Sequence, residues 1–263
     1  MKKQIALMGL LGLMTLSLTG CGTHVGYYAN ADKYLAGNQT YEEEITAIDI
    51  DWISGSVTLV EDETITGVKI EEVTDLEKER EWVHSYIDNG KLMIKFFAAN
   101  TWCSRLYDYT KELTVTYHPG LESVNVDLTS GSLKAESITA KDVDIDITSG
   151  KAIVNNIVAD SVDADLTSGT IEIKNITAKE FDTDLTSGTI TVGFTAIDNA
   201  DFDLTSGKIN LTIPEDGATV KVSKTSGSVK TERECSIDNN VYKFGTGSAN
   251  IKVSMTSGKL TIK

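Results

Sequence analysis

Carboxylates recur in this 263-residue chain at an interval that could do chemistry. Asp127, Asp146, Asp165, Asp184 and Asp203 follow one another at a single constant spacing, and Asn125, Asp144, Asp163, Asp182 and Asp201 repeat that spacing two positions earlier. If each interval is one turn of a stacked array, these side chains form two columns on one outer face, with about 4.8 Å between coils. Like charges at such a distance repel by about 1 kcal/mol per pair even at the dielectric of water. A face of this kind would attract divalent cations or cationic partners such as basic peptides, wall amines or another protein's basic patch. The alternative is a solvated face that keeps a β-rich protein soluble and its sheet from pairing with a neighbour, the aspartates being copied with each duplicated coil. A calcium cage is not expected, because there is no Asp-Gly-rich nonapeptide turn and a flat face offers too few converging oxygens.

Cys21 is the second position with chemistry of its own. Lys2 and Lys3 precede an apolar run, Ile5 to Leu18, of the length of a signal-peptide core and short for a membrane span. The run ends in Leu18-Thr19-Gly20-Cys21, which resembles the bacterial lipobox, where cleavage follows attachment of diacylglycerol to the thiol. Residues 1–20 are then a lipoprotein signal peptide, and Cys21 becomes the first residue of a mature protein on the extracytoplasmic face of the cell membrane. Two or three acyl chains anchor stably where one is marginal. Both lysines depart with the leader, so the formal charge moves from −15 to −17.

Other constellations carry less. His24, His84 and His118 share no metal-ligand spacing with the cysteines, and after lipidation only Cys103 and Cys235 keep thiols, with nothing in the sequence to place them together. No catalytic residue, metal site or cofactor is expected. Parallel β-helix enzymes that cut acidic polysaccharides need long loops around a cleft and basic residues beside the acids, whereas the turns here are short. An ice-binding face would want outward Thr-x-Thr, and the equivalent positions are Asp-x-Asp. With 39 acidic against 24 basic residues, nucleic acid is excluded as a partner.

The elements that must position these residues are written in an internal repeat. Thr-Ser-Gly recurs with its glycine at 131, 150, 169, 188, 207, 227 and 258, the first four steps being equal and the next longer by one. A fixed period of this size marks a stacked array. Within each unit, apolar residues alternate with polar ones before and after the glycine, as in Val143/Ile145/Ile147 and Ile171/Ile173, which is the period of a half-buried strand. Two such strands per unit bury their inner faces only by stacking. The expected fold is therefore all-β, a parallel β-solenoid with about 19 residues per coil over residues 121–263. The last strand, Lys259 to Lys263, carries lysines suited to an exposed terminal edge. Residues 121–207 hold 16 acids against five lysines, most of the mature charge.

Upstream, residues 45–120 read as an irregular β-rich section that covers the first coil. Ile45 to Val60 already has the repeat's logic, Ser54-Gly55 standing four repeat lengths ahead of Ser130-Gly131. Trp82 to Phe96 reads as a hairpin through Asp88-Asn89-Gly90, Leu113 to Tyr117 as a strand, and Thr74 to Glu77 could open a short helix through a capping box. Residues 21–44, the lipidated cysteine followed by a segment without sustained period, read as a flexible tether.

The lipobox, the opening strand Ile-Asp-Ile-Asp-Trp-Ile-Ser-Gly-Ser-Val and the repeated Asp-x-Asp-Leu-Thr-Ser-Gly coils together resemble the bacterial DUF4097 family over residues 45–263. The resemblance implies a β-strand repeat and an adhesin-like role, with some members membrane-anchored and associated with cell-envelope stress operons. It brings no catalytic residues. The expectation is a lipid-anchored, non-catalytic surface module that interacts with a cell-envelope component or protein. The alternative is an accessory or sensor of an envelope-stress response that binds cationic peptides or cations on the acidic face. The oligomeric state stays open.

Overall fold

The computed structural model describes residues 23–104 and 108–263; residues 1–20, expected to be a signal peptide, and Cys21 lie outside the described residues. The fold is all-β. Among the described residues helix is confined to two single 3₁₀ turns, Ala31–Lys33 and Glu79–Glu81.

The alternating pattern folds as expected for half-buried strands. In Glu180–Leu185 and Ala249–Met255 every second residue is buried and those between face solvent. Strands stack in parallel register on the equivalent positions of the next repeat: Asp144 on Asp163, Asp163 on Asp182, Asp182 on Asp201. The strands that follow each Thr-Ser-Gly do the same, Ile171 lying on Ile190 and Ile190 on Ile209. Inside, the columns compensate volume. Ala200 lies beside Phe181, and Ala164 and Thr183 share a column with Phe202, so that Phe181 and Phe202 come to 5.2 Å between ring centroids. Thr183, the polar exception among the apolar positions, is buried and donates its hydroxyl hydrogen to the Ala164 carbonyl. That bond removes the cost of an unpaired buried hydroxyl.

The glycine column is dictated by the backbone. Gly169 has φ +130°, and a Cβ there would sit 2.1 Å from the carbonyl oxygen of Gly150, one coil earlier. No side chain fits, so the turn demands glycine each time it recurs.

At both ends the spatial order of the strands departs from the chain order. Ala47–Trp52 and Ser56–Glu61 pair directly with residues 123–128 and 132–135, so Gly55 and Gly131, far apart in the chain, are neighbours. The segment between them is laid on the opposite side. Lys91–Lys95 runs parallel to Ala47–Trp52, and Lys111–Tyr117 parallel to Ser56–Glu61. His84–Asp88 and Val68–Thr74 then close the outside with antiparallel pairing. The hairpin expected at Asp88-Asn89-Gly90 is present, with positive φ at both Asn89 and Gly90.

The C-terminal end mirrors this arrangement. Ala249–Met255 and Lys259–Ile262 are inserted between the coil 199–212 and the coil 217–231. Lys259–Lys263 is therefore not the exposed edge its lysines suggested: Leu260 and Ile262 are fully buried, and Ser228–Thr231 is the outer strand. The two lysines flank three buried residues, and an edge cannot be told from an inner strand by its solvent-facing residues alone.

Two further expectations fail. Residues 23–44 are not a free tether. Thr23–Val25 pairs with Thr101–Cys103, Leu35–Ala36 with residues of His84–Asp88, and Gln39–Tyr41 with Val68–Thr74. Strands this short cannot show a period, and they are held by backbone bonds to edges built elsewhere. Thr74 does not start a helix; it ends a strand, and its hydroxyl accepts the Leu76 N–H in a turn.

Candidate functional site

The repeat brings every aspartate of the two columns to one outer face, because residues i and i+2 of a strand share a face and the parallel register repeats that face coil after coil. Asp144, Asp163, Asp182 and Asp201 form one column; Asp127, Asp146, Asp165, Asp184 and Asp203 form the other. Each column extends one coil further than the repeat predicts. Asp49 pairs with Asn125 and Asp51 with Asp127. Asp49, Asp51 and Asp127 each bring a carboxylate oxygen to within 4.8 Å of the others, close enough to share one cation.

Lysines bracket the columns. At the N-terminal end Lys91 reaches Asp49 at 2.5 Å, and Lys95 pairs with Asp51. At the far end Lys252, in the inserted final coil, approaches Asp201 at 3.4 Å. Sequence reasoning missed these caps, since none of the three lysines lies in the repeats that carry the aspartates. The signal was indirect: Lys252 occupies the position two before Ser254 that Asp201 occupies before Asp203.

Between the caps most of the carboxyls are shifted toward their protonated form. Loss of hydration in the row, the bond to Asp51 and the charges of Asp51, Asp146 and Asp49 push the Asp127 carboxyl up to about 8. Asp163 is raised to about 7, and Asp144 and Asp182 to about 6, by partial burial first and by neighbouring aspartates second. Asp146, Asp165 and Asp184 shift in the same direction for the same leading cause. Asp165 also accepts the backbone N–H of Asp184 at 2.6 Å, which offsets part of its shift. The raised carboxyls, Asp127 and Asp163 foremost, hold protons more readily than free aspartates and would release them to an arriving positive charge.

A contrasting charged site sits in the N-terminal section. Lys111 is fully buried, paired with Glu72, donating to the Glu81 carbonyl at 2.9 Å, and faced by the rings of Trp52, Phe96 and Phe97 at 4.8 to 5.2 Å. Burial lowers its amine to about 8 against the pull of Glu72. Glu72 also accepts the Val83 N–H at 2.9 Å, so the pair is tied on both sides. These contacts knit the section around the first coil.

The remaining polar candidates do not converge. Cys103 is buried in the N-terminal section, Cys235 lies beyond the last coils, and both are free thiols. The Nδ1 atoms of His84 and His118 face the carbonyls of Trp82 and Pro119, and the His24 ring lies against Trp102.

Stacked parallel strands carrying rows of like side chains define a repeat-built, all-β protein. The chain belongs to the Toastrack DUF4097 family, whose model matches residues 62–263. Among solved structures, it is similar to a "putative lipid binding protein" from Parabacteroides distasonis, at 13% identity and a TM-score of 0.50, over 88% of this chain and 97% of that one. It is also similar to a "putative adhesin" from the same species, at 15% identity and a TM-score of 0.47 over 87% and 97% of the two chains. A "putative cell adhesion protein" from Clostridium sporogenes matches at 14% identity and a TM-score of 0.41 over 88% and 99%. No curated protein matches the chain.

Proposed function

We propose that this protein is a lipid-anchored, extracytoplasmic and non-catalytic β-solenoid, one coil to each Thr-Ser-Gly repeat, whose acidic strip takes up cationic groups of the cell envelope or of cationic peptides. The observation that carries this reading is the double column of aspartates, held in register over successive coils and bracketed by lysines. Catalysis by paired carboxylates needs two acids with different environments converging on one bond. These acids instead stand in parallel rows along one face, a geometry suited to many weak contacts with an extended positive partner. The lipobox at Cys21 supports the anchor, and membership of the Toastrack DUF4097 family is consistent with an envelope role.

Because the strip holds protons, binding should expel them. Calorimetric titration with calcium and with an oligolysine peptide, run in two buffers of different ionisation enthalpy, reads both the binding and the protons released. The triple variant Asp146→Asn, Asp165→Asn, Asp184→Asn should lose the signal. Equal heats from the wild type and the variant would leave the strip as a solvated surface only.

A further inference from the structure

We propose that the aromatic cap around Thr23 is a contact surface for the lipid bilayer, lying flat on the leaflet that the acyl chains of Cys21 enter. This inference rests on the lipid anchor proposed above. Cys21 is two residues from Thr23, and two extended residues span at most about 7 Å. Thr23 itself is buried and fixed: Thr23–Val25 pairs with Thr101–Cys103, and the hydroxyls of Thr23 and Tyr109 lie 3.0 Å apart. Were residues 22–44 a free tether, the body could stand well off the membrane. Because the chain is tied down from Thr23 onward, an acyl group on Cys21 brings the body to the headgroups.

The surface it brings there has the composition of a membrane interface. Tyr27 is 77% exposed, Trp102 40% and Leu35 50%, and the other large exposed apolar side chains are aliphatic. His24 packs on Trp102 at 5.8 Å between ring centroids, while Tyr28, Tyr34 and Tyr86 form a chain of contacts at 4.9 and 5.6 Å. Lys33 lies over the Tyr86 ring and Lys95 over Tyr28, adding positive charge beside the rings. Trp and Tyr with an apolar body and a polar tip, accompanied by lysine, are the residues favoured at headgroup level. At the nearby start of the acidic columns Asp49 and Asp51 are paired with Lys91 and Lys95, which offsets their charge on the side where an anionic leaflet would approach.

The test uses the full chain expressed in a bacterium, purified from membranes with its processed N-terminus and placed in phosphatidylcholine–phosphatidylglycerol vesicles whose acyl chains carry bromine. Mass measurement of the N-terminal peptide first reports acylation of Cys21. Brominated lipid should then quench tryptophan emission. Trp102→Phe should remove most of that quenching, because Trp52 is buried in the core and Trp82 is half-buried with its indole N–H donated to the Leu76 carbonyl. Tyr27→Trp should add a further quenchable ring. Acylated protein whose emission is unaffected, or quenching undiminished in Trp102→Phe, would overturn the bilayer surface while leaving the anchor intact. An unacylated N-terminus would overturn both.

Discussion

The two charged regions of the molecule solve one problem in opposite ways. In the N-terminal section a single lysine is taken out of water, matched to one glutamate and enclosed by three aromatic rings. Along the repeat, carboxylates of one sign are kept at the surface in rows, with lysines only at the ends. The first arrangement depends on geometry: both partners must be present and in place. The second spreads one sign of charge along a row whose carboxyls are raised toward their protonated form. The buried pair is thus a device for holding an irregular section to the first coil, and the strip a device for responding to what surrounds it.

This contrast can be broken most directly at Glu72. Glu72→Gln leaves the Lys111 amine buried without its counter-charge and should lower stability by about 3 kcal/mol in chemical denaturation. Lys111→Met added to Glu72→Gln should recover a large part of that loss. A single variant as stable as the wild type would mean that the pair is dispensable. On the repeat side, the sensitivity should lie in the backbone rather than the charges. Gly169→Ala, which meets the Gly150 carbonyl, should cost about 2 kcal/mol, whereas Gly120→Ala, with open space at its Cβ, carries only the conformational cost of its positive φ, about 1 kcal/mol.

Titration distinguishes the two regions next. Carboxyls whose folded pKa is raised bind more protons in the folded than in the unfolded chain between about pH 4 and their folded values, so stability should fall as pH rises toward about 8. The thermal midpoint of the wild type should decline over that range, and Asp127→Asn with Asp163→Asn should flatten the decline. A pH-independent midpoint in the wild type would contradict the proton-holding strip. The smallest effect is expected at its far cap: Lys252→Ala removes an exposed ion pair and should change stability by less than about 0.5 kcal/mol.

Much of the strip was legible in the sequence because a repeat is redundant. Thr-Ser-Gly marks every turn, and the phase of one aspartate fixes that of the others. What redundancy could not supply was order in space. Residues 47–61 carry the repeat's pattern, yet nothing local says that they adjoin residue 131 and that the intervening chain goes to the other side. Lys111 was invisible for a related reason. Its position is in phase with the inward Leu113, Val115 and Tyr117, but a lysine at the head of such a strand reads as the solvated end of it, and the rings of Trp52, Phe96 and Phe97 that enclose it come from distant segments. The short pairings of Thr23 to Tyr41 had no period to read.

The insertion of the final coil has a consequence for how the molecule is made. Residues 249–262 supply the hydrogen-bonding neighbours of both 199–212 and 217–231, so 217–231, although earlier in the chain, joins the stacked strands only through residues that follow it. Lys263 itself donates its N–H to the Leu211 carbonyl and accepts from the N–H of Ile213. A chain cut before Ala249 would present two bare strand edges, one on 199–212 and one on 217–231, facing an empty slot.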